Sequence, residues 1–171
     1  EDRFWAVMNI CMEKDCREDA AIYEAFYRNE YHQAKSVCGM NPLAVEAVKL
    51  AHEKAEKVIL ATSPLYPPIA VEGRLEWAGL KMSDFDLVTT YDTERFCKPN
   101  PEYYRDIITR LGFEPKDCVM IGNDEKEDMW AAAQVGIEGF LVTDDLIARE
   151  EYPHTGKRGT FVELIEWMKT L

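Results

Sequence analysis

Asp124 and Asp128 stand four residues apart in the run Ile121-Gly122-Asn123-Asp124-Glu125-Lys126-Glu127-Asp128, directly after the apolar segment Cys118-Val119-Met120-Ile121. In the first turn of a helix that spacing puts both carboxylates on one side, facing the strand ends. Hard oxygen donors in such a pair suit Mg²⁺, which takes one or two carboxylates and completes its shell with water and substrate phosphate. The helix macrodipole alone also favours acids here, but it accounts less well for a cluster directly after a buried strand. Lys98 lies in Cys97-Lys98-Pro99-Asn100-Pro101, where two prolines stiffen the approach to a helix capped by Asn100. An ammonium held in place there can neutralise charge on a transferring phosphoryl group; the plainer reading is a lysine in the loop before a helix. Thr62 and Ser63 follow the apolar run Val58-Ile59-Leu60-Ala61. A hydroxyl beside backbone N–H groups can hold a phosphoryl oxygen, although turn formation is the commoner use of these residues.

The elements that must position these groups alternate between helix and short apolar strand. Asn41-Pro42 starts a helix reaching about Lys57, which leads into the Val58–Ala61 strand. A helix near Pro68–Ala78 precedes a weaker strand at Phe85–Thr89. A helix over Pro101–Leu111 carries Tyr104, Ile107, Ile108 and Leu111 on one side and ends at Gly112. The Cys118–Ile121 strand is followed by a helix through Val135 and Gly136, a strand at Phe140–Val142 and a terminal amphipathic helix over Phe161–Lys169. Such alternation predicts an α/β fold: a Rossmann-like, three-layer arrangement with helices on both faces of a parallel sheet. Ligands then bind outside the carboxyl ends of the strands, where Thr62, Lys98 and Asp124 fall. Residues 1–38 read instead as helical. Phe4, Trp5, Met8, Cys11 and Met12 recur at helical steps, as do Ile22, Ala25 and Phe26, and core packing is the expected use of these apolar groups.

The totals narrow the function classes. The chain has 171 residues, 47% hydrophobic and 30% charged, enough to bury a core. A formal net charge of −12 repels phosphate backbones, so nucleic acid is not an expected partner. The densest basic point, Lys157-Arg158, is expected to be solvated surface. No apolar run approaches transmembrane length and no signal peptide is visible, so no membrane partner is expected. Cys11, Cys16, Cys38, Cys97 and Cys118 are odd in number and contain no CxxC pair. Reduced thiols in a cytoplasmic setting are the expectation, rather than disulfides or zinc.

Taken in order, a strand ending in Thr62, Lys98 before a helix, and the turn from Gly122 through Asp124 to Asp128 resemble motifs two, three and four of the haloacid dehalogenase superfamily. Trp77-Ala78-Gly79-Leu80 before Phe85-Asp86, the Lys98-Pro99 pair, and Ala132-Ala133-Gln134-Val135-Gly136 past Asp128 extend the resemblance, which covers about residues 40–171. It implies a Mg²⁺-dependent phosphatase acting on a small phosphorylated metabolite through a phospho-aspartate. Asp124 would be a direct metal ligand and Asp128 would orient the metal's waters. Thr62, with Ser63, would bind a phosphoryl oxygen, and Lys98 would offset developing charge. Residues 1–38 would be part of the helical cap that selects substrate in this superfamily, and 39–171 the α/β core. A carbon–halogen hydrolase of the same superfamily needs no metal, which the acidic pair disfavours. Outside enzymatic hydrolysis, the competing readings are an inactive or metal- and phosphate-binding protein and a phospho-acceptor module.

Two departures stand out. Asn123 replaces the glycine usual before the first aspartate of motif four, and motif one, Asp-x-Asp-x-Thr/Val at the end of a first strand, has no counterpart in the expected place. Asp84-Phe85-Asp86-Leu87-Val88 has the form, but it precedes a strand instead of ending one and follows motif two. The chain, opening at Glu1, is therefore expected to lack the first strand and the nucleophile. A sheet interrupted between Val58–Ala61 and Cys118–Ile121, or a collapsed rearrangement there, and no phosphatase activity from these 171 residues alone, are the corresponding expectations.

Overall fold

A computed structural model describes residues 2–171. The chain divides into two compact units: residues up to Val45 group with Lys57–Glu94, and Glu46–Glu56 group with Arg95–Leu171.

The first unit opens with helix α1 (Asp2–Met12), a 3₁₀ turn over Cys16–Asp19, helix α2 (Ala20–Arg28) and a 3₁₀ stretch over Glu30–Val37. The helical expectation holds for residues 2–37, but the apolar stripes are only partly buried. Trp5 and Cys16 are covered, whereas Ile22 and Phe26 are 67% and 45% exposed, so those two do not serve as core. Asn41 starts helix α3 (Pro42–Lys54) by accepting from the Leu43 N–H at 3.0 Å, and from Glu46 onward that helix groups with the second unit. Then come strand β1 (Ile59–Leu60), helix α4 (Pro68–Trp77) and strand β2 (Leu87–Val88), with β1 and β2 parallel in the register Ile59↔Leu87 and Leu60↔Val88.

Helix α5 (Pro101–Leu111) carries the main core of the second unit. Its buried Tyr103, Tyr104, Ile107 and Ile108 follow the 3.6-residue period, and Gly112 closes it in the left-handed region at φ 77°. Strand β3 (Val119–Gly122) leads into a wide π-type turn over Glu125–Trp130, the short helix α6 (Ala131–Ala133) and strand β4 (Glu138–Val142). Strand β5 (Lys157–Gly159) and helix α7 (Phe161–Lys169) end the unit, with Leu141 and Leu164 fully buried. The order β3–β4–β5 is parallel throughout. Lys157 and Arg158 are exposed, as expected, but they sit in the ladder of β5 instead of a loop; Lys157 also pairs with Glu138 and lies over the Trp167 ring.

Each strand pairing is parallel, as the α/β alternation requires. The strands form two sheets, β1–β2 in the first unit and β3–β4–β5 in the second.

Candidate active site

The chemistry-bearing turn begins where β3 ends at Gly122. Asp124 lies ahead of the helical segment in extended conformation (φ −103°, ψ 121°), and its side chain caps that segment. Oδ1 accepts from the N–H groups of Lys126 and Glu127, both at 2.8 Å. Asp128 N and Met129 N both donate to the Asp124 carbonyl, at 3.1 and 3.2 Å, and the second, an i→i+5 bond, widens the turn. The two carboxylates therefore do not sit as an equivalent pair on one ordinary helical turn, as the four-residue spacing suggests. Asp124 caps, whereas Asp128 folds back: its Oδ2 accepts from Asn123 N at 3.0 Å and Asp124 N at 3.1 Å. Gly122 permits this, because a Cβ there would collide with the Asp128 carboxylate.

Lys98 reaches the same place from the loop before α5. Its Nζ donates to Asp128 Oδ1 at 2.5 Å, with 6% of the Lys98 side chain and 10% of that of Asp128 exposed. The ammonium also lies 5.7 Å from the Tyr104 ring centroid and 5.9 Å from that of Tyr103. Asn100 holds the start of α5, accepting from Glu102 N at 3.0 Å, and Tyr104 O–H donates to the Glu127 carbonyl at 2.9 Å. The plainer sequence reading is a lysine in the loop before a helix; the structure makes Lys98 half of a buried ion pair.

Burial raises the cost of ionising Asp124, yet the N–H donors of Glu127 and Lys126, with the Arg149 guanidinium, outweigh it and hold the carboxyl below its ordinary value. Tyr104 moves the other way: burial first, then the charge of Asp128, push its phenol far up, so it acts only as a neutral donor. Burial and the Glu127 charge likewise raise the Cys97 thiol against the pull of Lys98, which disfavours a nucleophilic thiolate beside the lysine.

Arg149 and Glu125 are the residues that sequence reasoning passes over. The segment after β4 folds across the turn: Ile147 N donates to the Asn123 carbonyl at 2.8 Å, and Glu125 N to the Ile147 carbonyl at 3.2 Å. The buried Glu125 carboxylate accepts from Arg149 N at 2.7 Å and His154 N at 3.3 Å. Asn123, replacing the usual glycine, donates through Nδ2 to the Asp145 carbonyl at 2.5 Å. No local pattern marks this loop as part of the site; its partners lie more than twenty residues away in sequence.

Thr62 and Ser63 belong to the first unit, just past the carboxyl end of β1. The Thr62 carbonyl accepts from the buried Thr89 hydroxyl at 2.8 Å, which ties the turn to the end of β2. Asp86, from the string resembling motif one, binds Lys57 and Val58 N at 2.8 and 2.9 Å, and Asp84 accepts from Lys81 N at 2.8 Å. Asp86 thus lies at the amino-terminal side of the β1–β2 pair, opposite the end that carries Thr62.

Mg²⁺ fits one part of this donor set. Asp128 is committed to Lys98 and two backbone amides, whereas Asp124 Oδ2 receives its hydrogen bond from the half-exposed Arg149. Among the described residues no cluster of three or more His, Cys, Asp or Glu is arranged around a common point. Asp124 would thus offer a single carboxylate, within the range Mg²⁺ accepts when water and phosphate complete its shell.

Comparison with known proteins bears on the whole constellation. A family profile for haloacid dehalogenase-like hydrolases matches residues 9–136, a span containing Thr62, Lys98, Asp124 and Asp128. A glyceraldehyde 3-phosphate phosphatase from Methanothermobacter thermautotrophicus is 35% identical over 82 residues, covering 48% of this chain and 36% of that protein. The probable phosphatase IndB of Dickeya dadantii is 31% identical over 159 residues, covering 88% of this chain and 66% of its own length. The chain thus spans about one third and two thirds of these relatives. A haloacid dehalogenase-like phosphatase from Thermococcus onnurineus superposes with TM-score 0.65 at 22% identity, over 96% of this chain and 70% of that one. The L-2-haloacid dehalogenase of Xanthobacter autotrophicus does so with TM-score 0.64 at 16% identity, over 81% and 64%. These two share the fold while differing in chemistry, so the fold alone does not choose between them. The chain belongs to the haloacid dehalogenase-like hydrolase family.

Proposed function

We propose that the whole protein is a Mg²⁺-dependent phosphatase of small phosphorylated metabolites, and that residues 1–171 supply its phosphoryl-binding and charge-neutralising groups and a metal carboxylate. The observation that carries this reading is the buried Lys98–Asp128 pair packed against Asp124 in one turn at the end of β3. A low-dielectric site holding a fixed ammonium beside a capped, ionised carboxylate suits the stabilisation of charge on a transferring phosphoryl group. The phosphatases named among its relatives support the same chemistry.

In this assignment Asp128 positions Lys98, whose ammonium faces the phosphoryl oxygens, and Thr62 and Ser63 donate to phosphoryl oxygen. Asp124 would hold Mg²⁺, which when bound supplies Lewis-acid polarisation of the phosphoryl group. No residue of the chain is assigned as the nucleophile, since Asp86 is engaged at the other end of its strand. The helical residues 1–38 are proposed as cap. With Pro67 and Tyr91, the cap side chains Phe4, Trp5, Tyr23 and Tyr27 wall a cavity of about 460 Å³, a volume suited to a small organic body. The test is a screen of the full-length protein against phosphorylated metabolites. Phosphate release in Mg²⁺ that stops in EDTA is expected; release unaffected by EDTA would contradict the metal assignment.

A further inference from the structure

The Asp124 carboxylate is divided between two uses. Oδ1 is spent on the Lys126 and Glu127 amides, and Oδ2 accepts from Arg149 Nη2 at 3.1 Å. The two partners differ sharply in exposure, with 8% of the Asp124 side chain accessible against 46% of that of Arg149. The backbone that carries Arg149 does not depend on this ion pair. It is held by Arg149 N on Glu125, by the Ile147 bonds to Asn123 and Glu125 on either side of Asp124, and by Asn123 on Asp145. Further along, Tyr152 stacks edge-on against Trp130 at 5.2 Å, with Lys126 4.7 Å above its ring.

The segment is therefore fastened, while the guanidinium at its tip is half in water and gives up its carboxylate at little cost. A divalent cation on Oδ2 and a guanidinium on the same oxygen would lie within a few ångströms, and like charges at that distance repel strongly beside a buried carboxylate. We infer that Arg149 is the resident counter-cation of Asp124 and that its ion pair and metal binding at Asp124 exclude each other, so that Arg149 sets the affinity of the site for Mg²⁺. This rests on the assignment of Asp124 as the metal's carboxylate. The coupling is reciprocal: whatever the Arg149 pair contributes to the metal-free protein is forfeited when metal binds.

Mg²⁺ titrated calorimetrically into full-length wild type, Arg149→Ala, Arg149→Gln and Asp124→Asn tests this without any activity measurement. Both Arg149 variants should bind Mg²⁺ about threefold to tenfold more tightly than wild type, the range expected when the cation of the pair is half in water. Their thermal midpoints should lie below wild type without metal and converge on it in saturating Mg²⁺. A purely structural Arg149 would leave the gap in place at saturation. That outcome, or Mg²⁺ affinity unchanged or weakened in both Arg149 variants while Asp124→Asn loses binding, overturns the inference and leaves the metal site standing. Equal binding by wild type and Asp124→Asn, or none by either, overturns both.

Discussion

Lys98 and Asp128 are the residues whose structural and chemical roles are hardest to separate. A buried pair at 2.5 Å is strongly destabilised when one partner is removed, because the other is left charged and unpaired. Lys98→Met and Asp128→Asn should each lower unfolding free energy in urea by about 3–5 kcal/mol, and the double variant should lose clearly less than the sum. Additive losses would mean that the two charges do not depend on one another. Activity of Lys98 variants must then be normalised to folded protein. Asp124 gives a pH-dependent counterpart. Its folded value lies below the ordinary carboxyl value, so its contribution is complete above that ordinary value and is lost as pH falls through the depressed one. The stability difference between wild type and Asp124→Asn should therefore shrink as pH is lowered from about 7 to about 3. A difference constant across that range would show that the carboxylate is not held ionised by its neighbours.

The elements themselves are legible where sequence carries a local signal. Asn100 and Gly112 bracket α5 at the residues expected, because a side-chain cap and a left-handed C-terminus are local devices. At α7 a reciprocal box adds the same kind of signal: Glu163 N donates to Thr160 Oγ1 at 3.3 Å, and Thr160 N to Glu163 Oε2 at 2.7 Å. Thr160→Ala should cost about 1 kcal/mol in urea unfolding; no measurable loss would mean that tertiary packing alone holds this helix. What escapes a sequence reading depends on partners distant along the chain. Lys157-Arg158-Gly159 has no strand composition and becomes β5 only because β4 offers it a parallel edge. The π-type turn reads as an ordinary helix because the fold-back of Asp128 onto two amides has no spacing signature. Arg149 stays hidden for the same reason. The apolar groups of α2 mislead in the other direction, since helical periodicity identifies a stripe without saying that anything covers it.

At the scale of the whole molecule, the family follows from the order of motifs along the chain, and the fold from parallel pairing in both sheets. Among the described residues no helix is long and apolar enough to cross a membrane. The net charge of −12 makes the protein acidic overall, and the buried ammonium of Lys98 is balanced locally by Asp128. The account therefore turns on whether Asp124 and its neighbours bring metal to a phosphate ester. The direct measurement is the Mg²⁺ dependence of phosphate release by full-length wild type and Asp124→Asn on the best substrate of the screen. Several kcal/mol of transition-state stabilisation are at stake, and each 1.36 kcal/mol is about tenfold in rate. The account predicts saturable Mg²⁺ activation in wild type and turnover lower by about a hundredfold or more in Asp124→Asn, with the variant still folded. Turnover by folded Asp124→Asn within a few-fold of wild type, with the same Mg²⁺ dependence, would contradict it.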